Sequence, residues 1–367
     1  MNHRKPVLVL ATVDPVVRDA TIFGLVSDHP RMAVLRHDIL DGPDGGRIRR
    51  VVMSADGVLH DSGLHLEHAC LSCAVREDAL PTLERLAADD RWDALLFALP
   101  VSAEALPVVR ALSHETGRGG RLRGLWVSHV VSALDVEAFE DDLLGDDLLA
   151  ERDLALTVDD RRSVGEALAA QVAHADTVLV SGAADAHPVG SDLLDHVRAA
   201  DGVRVEGLYG VDVDVLLRTE HQAHRGERRM DPLHVAPVPG APTDHGVWTL
   251  DLRSPRPMHP ERLMEHVWRL GGGRLRGRGR FWVPTRPDSV CVWEGSGGQL
   301  SVGDLDRWGR RSPDTRIVVT GTGSQQGELV EAFEEVLMSE RELSAGLARW
   351  VGVEDVLEPW LGERSQA

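Results

Sequence analysis

Over the first two hundred residues, short apolar runs alternate with stretches of helical periodicity. Val7–Thr12 is apolar, a helical pattern follows from about Asp14 to Val26, and Met32–Ile39 is apolar again. Further apolar runs fall at Ala94–Leu99, Leu125–Val131 and Thr177–Val180, with helical patterns over residues 74–88 and at Gly165–Ala173. Arg47–Val52 and Gly57–His60 read as a hairpin, bounded by turn signals at Gly45-Gly46 and Asp56-Gly57. Strands that are apolar throughout and alternate with helices predict a mostly parallel sheet covered on both faces. The expected fold is therefore a doubly wound α/β domain over residues 1–217.

Beyond that point the pattern changes. Residues 218–244 are polar and then proline-rich, and read as a linker. Val247–Leu252 alternates, Pro260–Leu270 is helical, Arg280–Val283, Val290–Trp293 and Arg316–Thr320 read as strands, and Glu328–Met338 is helical. These predict a smaller α+β domain with an antiparallel sheet over residues 245–345, followed by a tail at 346–367 with a short amphipathic stretch.

Composition narrows the class. A chain of 367 residues can hold two cores, and 43% hydrophobic with 27% charged residues describes a soluble globular protein. The apolar runs are strand-sized, far short of the roughly 20 residues a membrane span needs. The N-terminal apolar run is too short for a secretory signal, and three cysteines make no disulfide framework, so the expected compartment is the cytoplasm. A net charge of −19 argues against unspecific nucleic-acid binding and suits a basic partner protein.

The candidate chemistry lies in residues 65–78. Cys70 and Cys73 are three apart, with His65 and His68 just upstream. Thiolates at that spacing close on one tetrahedral Zn²⁺, and imidazole is the other soft ligand zinc accepts. The pair also stands at the entry to an amphipathic helix, whose positive end favours thiolate. Cys70, Cys73 and His68 are the candidate metal ligands, with His65 behind them. The competing reading of the two cysteines is as small buried hydrophobes, and of His68 as a surface or capping histidine. A thiol-redox reading of C-x-x-C fits less well, because a thioredoxin-type pair would follow the first strand.

The turn after the first strand carries a negative statement. A phosphate-binding loop needs glycines, a lysine and a Ser/Thr directly behind it. Residues 11–19 contain no glycine and no lysine, Asp14 and Asp19 would repel phosphate, and the sole lysine of the chain is Lys5. Arg18 stands near, but a planar guanidinium does not replace the compact ammonium. No catalytic residue is assigned, and a non-hydrolytic protein is expected. Elsewhere, Cys291, Trp282 and Trp293 read as core, and His221 and His224, three apart in the linker, read as solvated in preference to a weak metal contact. Arg274, Arg276, Arg278 and Arg280 alternate on a strand and would meet RNA phosphate, an acidic patch of this chain, or solvent.

Several of these segments resemble the CobW-type P-loop GTPases, a family that handles zinc and other metals. Cys70-Leu-Ser-Cys-Ala-Val-Arg-Glu-Asp78 is similar to that family's C-x-C-C-T-x-R-x-D motif, with Ser72 in place of the middle cysteine. Ala175-Asp176 through Asp185 resembles its guanine-reading A-D-x-x-x-x-N-K-x-D segment, with Ser181 and Gly182 replacing Asn and Lys. Arg274 to Val283 and Trp293-Glu294-Gly295 resemble its C-terminal domain. The resemblance implies Zn²⁺ as the metal, with GTP and Mg²⁺ in doubt because the phosphate loop is lost. It is closest to a branch that recruits a ribosome hibernation factor under zinc limitation. It thus implies that factor and, through it, the small ribosomal subunit as partners. The alternative it implies is a GTP-dependent zinc metallochaperone.

Overall fold

Strand formation follows the apolar runs closely. The computed structural model describes residues 4–40, 46–66, 70–234, 241–350, 353 and 356–362. It divides into two units, residues 1–142 with 147–230, and residues 143–146 with 231–367.

The first unit is built on an eight-stranded sheet. In chain order its elements are β1 (Lys5–Ala11), α1 (Pro15–Asp28), β2 (Met32–Leu40), β3 (Arg47–Ser54) and β4 (Gly57–His65). A helix then begins with α2 (Leu71–Ala74), passes through a π-helical turn at Val75–Ala79 and continues as α3 (Leu80–Ala87). There follow β5 (Ala94–Ala98), α4 (Ala105–Thr116), β6 (Leu125–Asp135), α5 (Val136–Leu144), α6 (Val164–His174), β7 (Thr177–Ser181), α7 (Pro188–Val197), β8 (Val203–Glu206), α8 (Val213–Arg218) and α9 (Ala223–Met230). The strand order is β4-β3-β2-β5-β1-β6-β7-β8. Pairing is parallel from β2 to β8, while β3 and β4 add on as an antiparallel hairpin. One face buries Val7, Val9, Leu95 and Phe97 with α3 and α4; the other buries Leu8, Leu10 and Leu96 with α1 and α8. Two-sided burial explains why these strands show no alternation.

The second unit holds β9 (Val247–Ser254), α10 (Pro260–Gly271), β10 (Leu275–Phe281), β11 (Ser289–Ser296), β12 (Gln299–Arg307), β13 (Thr315–Thr322) and α11 (Gln326–Val336). Its sheet runs β12-β11-β10-β13-β9, antiparallel at every pairing. Trp248, Phe281, Cys291 and Trp293 form its core with Leu263, Leu329 and Phe333 from the two helices. Cys291 and Trp293 are fully buried, in line with their reading as core.

Two boundaries differ from the sequence reading. The polar stretch from 218 is not all linker: α9 is helical and belongs to the first unit. Its polarity misleads because its contacts are ionic. Arg229 binds Asp176 and Asp201, and Glu227 binds Arg110. At the far end, Leu357 and Leu361 of the expected tail are buried in the second core.

Candidate metal centre

The site is set by how the chain leaves β4. Residues 67–69, and with them the candidate ligand His68, lie outside the described residues. His65 is exposed at the end of β4. Cys70 is the N-cap of α2: its backbone is extended and its sulfur accepts a hydrogen bond from the Cys73 amide at 3.4 Å. The cap brings both cysteines onto the first helical turn, as C-x-x-C at a helix entry should. Cys73 is 8% exposed, and Cys70 is more open. The Arg76 guanidinium stands 3.7 Å from the Cys73 sulfur and also binds Glu77. The Cys73 thiol is pushed above its usual value, first by its hydrogen bond to Cys70 and then by burial. Metal binding reverses that preference, since zinc takes thiolate.

One turn further on, Asp78 fixes the helix to the sheet. Its carboxylate, 6% exposed, accepts from His37 Nε2 on β2 at 2.8 Å and from Arg50 on β3 at 2.6 Å. Burial raises its pKa, but the bonds from His37 and Arg50 outweigh that and hold it below the ordinary carboxylate range. The π-helical turn ends at Ala79, next to this anchor. A π turn inserts one extra residue into a helix and often marks a functional position. A cavity of about 260 Å³ lies against the same helix, walled by Leu71, Val75 and Leu80 with Pro107, Val108 and Ala111 of α4.

Among the described residues no group of three or more His, Cys, Asp or Glu side chains converges as a metal cage. The two thiols at the helix entry are donors of the kind a soft cation takes.

The β1–α1 turn differs in kind. Asp14 caps α1, its carboxylate accepting from the amides of Val16 at 2.6 Å and Val17 at 3.1 Å. Those amides are where a phosphate would sit on a P-loop helix. Arg18 does not face that position. It is 5% exposed, pairs with Asp38 at 2.7 Å and donates to the Leu99 carbonyl at 3.3 Å. At the segment resembling the guanine-reading motif, Gly182 takes a φ of 87°, and a Cβ there would lie 3.0 Å from Asp135 Oδ1. A lysine at that position would be strained.

Asp176 in turn serves as an anchor. It accepts from His221 Nδ1 at 2.7 Å and from Arg229 at 2.8 Å, which together tie α9 and the segment before it to the start of β7. His221 is buried, against its reading as solvated, while His224 is exposed. The periodicity of residues 218–230 carried no sign of this, because the segment is held by ionic and hydrogen-bond contacts to Asp176, Asp201 and Arg110 and not by an apolar face. On β10, Arg276 and Arg278 both pair with Glu294 and Arg280 binds Asp314, so these three alternating arginines meet acids of this same chain.

A nucleotide-hydrolase type α/β unit with a thiol pair at a helix entry defines the class, and sequence comparison supplies the family. Residues 22–200 match the CobW/HypB/UreG nucleotide-binding domain, and residues 247–337 match the cobalamin synthesis protein CobW C-terminal domain. The chain belongs to this family. Its match to the first domain starts past the β1–α1 turn. Among relatives, a zinc chaperone of Mycobacterium tuberculosis is 26% identical over 395 residues, covering 97% of this chain and 94% of that protein. The zinc-regulated GTPase metalloprotein activator 1 of Dictyostelium discoideum is 21% identical over 260 residues, covering 67% of this chain and 54% of that protein. Among solved structures, the Zn(II)-bound YjiA GTPase from E. coli is similar over 92% of this chain and 99% of that chain, at 14% identity and a TM-score of 0.36. No helix among the described residues is long and apolar enough to cross a membrane.

Proposed function

We propose that this chain is a zinc metallochaperone of the CobW family. In this reading Cys70 and Cys73 take up Zn²⁺ as cargo and pass it on, and no nucleotide occupies the β1–α1 turn. The observation that carries it is the Cys70 cap, which places two thiols on one helical turn, the donor type and spacing that zinc takes. The near-full-length likeness to a protein named as a zinc chaperone supports the same choice. It favours this reading over the zinc-responsive adaptor. Recruitment of a ribosome hibernation factor, and the small ribosomal subunit as its destination, rest on the resemblance of motifs alone.

Elemental analysis of the purified protein beside a Cys70→Ser/Cys73→Ser variant tests the proposal. Zinc should accompany the wild type and be lost from the variant; equal zinc in both dismisses the site. Titration with GTP and Mg²⁺ tests the second half, since saturable binding with turnover restores the GTP-dependent form of the chaperone. Ribosome pull-down with and without chelator tests the adaptor, which requires a zinc-dependent difference.

A further inference from the structure

Cys70 and Cys73 are placed for chemistry with each other as well as with a metal. Three residues apart on one helical turn, two Cα atoms stand about 5 Å from each other, inside the span a disulfide bridges without backbone movement. The side chains already meet. The two thiols are hydrogen-bonded, and the Cys73 amide donates to the Cys70 sulfur at 3.4 Å. Both pack against the apolar cluster of Ile48, Leu66 and Ala74, which holds them side by side.

The two sulfurs differ in access. Cys73 is 8% exposed, whereas Cys70 is partly open to solvent. The Arg76 guanidinium, 3.7 Å from the Cys73 sulfur, stands where it steadies a thiolate forming there. An outer thiol that meets solutes first, with an inner thiol behind it, supplies both steps of thiol–disulfide exchange: attack, then resolution. The third cysteine, Cys291, is fully buried in the core of the second unit and takes no part. The place of the pair after the β3–β4 hairpin does not alter this, because exchange depends on the two sulfurs and their surroundings.

We propose that Cys70 and Cys73 form a redox-active dithiol that closes to an intramolecular disulfide on meeting a disulfide oxidant. The Cys70 thiolate attacks one sulfur of R–S–S–R, giving Cys70–S–S–R and R–S⁻, which takes up the proton that Cys70 gave up. Cys73 then loses its proton and attacks the Cys70 sulfur. The Cys70–Cys73 bond forms and the second RSH leaves. Two thiols of the chain are oxidised, and one external disulfide is reduced to two thiols. Once joined, the two sulfurs no longer bind a metal as thiolates, so oxidation empties the site. That consequence alone rests on the zinc reading: from the zinc form, Zn²⁺ leaves and the two R–S⁻ take protons from solvent.

The full chain, stripped of metal with a chelator, is incubated with glutathione disulfide and quenched. Remaining thiols are alkylated under denaturing conditions, and mass spectrometry reads the intact chain and the peptide holding both cysteines. Wild type loses two hydrogens, and the bridge maps to Cys70 and Cys73. Cys73→Ser, which lacks the resolving thiol, gains one glutathione at Cys70, about tenfold or more faster than Cys70→Ser gains one at buried Cys73. Wild type that stays reduced, or that stops at a glutathione adduct, overturns the proposal. Equal adduct rates in the two variants overturn the order of attack. A second arm adds glutathione disulfide to zinc-loaded wild type beside a chromophoric chelator. Zinc is released in step with the disulfide, and zinc retained after the bridge has formed overturns the exclusion. A reduced chain that binds no zinc sinks the metal reading only, because the metal-free arm reads the disulfide without it.

Discussion

Two helices of the first unit begin in the same way and do opposite things. At α1 a carboxylate, Asp14, folds back on the amides of Val16 and Val17; at α2 a thiol, Cys70, folds back on the amide of Cys73. Both satisfy amides that a helix start leaves without partners. A carboxylate holds its amides with a full charge and leaves no room for an incoming anion. A thiol makes a long, weak bond that a metal ion readily replaces. In the proposed reading one helix start is closed by its own carboxylate, while the other offers a thiol to a metal. The capping atom is what separates the two.

The comparison is broken most directly at the thiols. Cys70→Ser/Cys73→Ser should lower zinc affinity by about a thousandfold or more, roughly 4 kcal/mol, in competition with a chromophoric chelator. Asp14→Ala should leave zinc affinity unchanged in the same assay. If the Asp14 variant also loses zinc, the two helix starts are one site and the contrast is false.

Next in size is the anchor of the thiol-bearing helix. Asp78→Ala leaves the buried His37 and Arg50 without their shared carboxylate. Removing one partner from a buried ionic group costs about 3–4 kcal/mol. Urea denaturation should register that loss. A conservative Asp78→Asn keeps one hydrogen-bond acceptor and should lose less.

The fold was largely legible in the sequence, and for a physical reason. β1, β5, β7 and the first four residues of β2 are buried on both faces, so each appears as an apolar run, and β6 is apolar apart from a few buried polar positions. β8 was missed because Val203-Arg-Val-Glu206 is short, lies at the sheet edge and is half exposed. The hairpin was read from its turn signals, although β4 is exposed along its whole length apart from two positions. Of the site, the thiol pair was visible through its spacing and Asp78 only as a motif position. Its partners His37 and Arg50 come from other strands, forty-one and twenty-eight residues away, and no local pattern announces them. His37 stands between Arg36 and Asp38, and Arg50 is one of three arginines on β3, so neither was singled out by its neighbours. His221 shows the same limit: what buries it is Asp176, forty-five residues earlier.

That Asp176 cluster gives a third test, because it is a second place where a family motif position has become an anchor. His174 beside it is 1% exposed, with neither ring nitrogen bonded among the described residues. Burial, with His221 nearby, lowers its pKa to about 4. Between pH 6.5 and 4 the unfolded chain binds a proton there that the folded chain refuses. Stability from this group is therefore complete above pH 6.5 and is lost as pH falls toward 4, on the order of 3 kcal/mol in all. His174→Gln should remove that part of the acid slope, measured as unfolding free energy against pH. An unchanged slope would mean that acid acts elsewhere, on the carboxylates.

The smallest expected effect is the most discriminating for the comparison itself. Asp14→Ala removes the cap of α1, and such a loss costs about 1 kcal/mol, visible as a small fall in thermal midpoint. It also frees the Val16 and Val17 amides and deletes the charge that repels phosphate. If Asp14 alone excluded nucleotide, the variant should bind GTP with Mg²⁺ where wild type does not. We expect no such gain in a calorimetric titration. Freed amides do not replace the lysine that a phosphate loop needs, and the guanidinium of Arg18 stays committed to Asp38 and the Leu99 carbonyl. Gly182 likewise carries no side chain at the position that resembles the family's guanine-reading lysine. A gain of GTP binding on this single substitution would show that the pocket is intact beneath its cap, and the contrast between the two helix starts would reduce to one carboxylate.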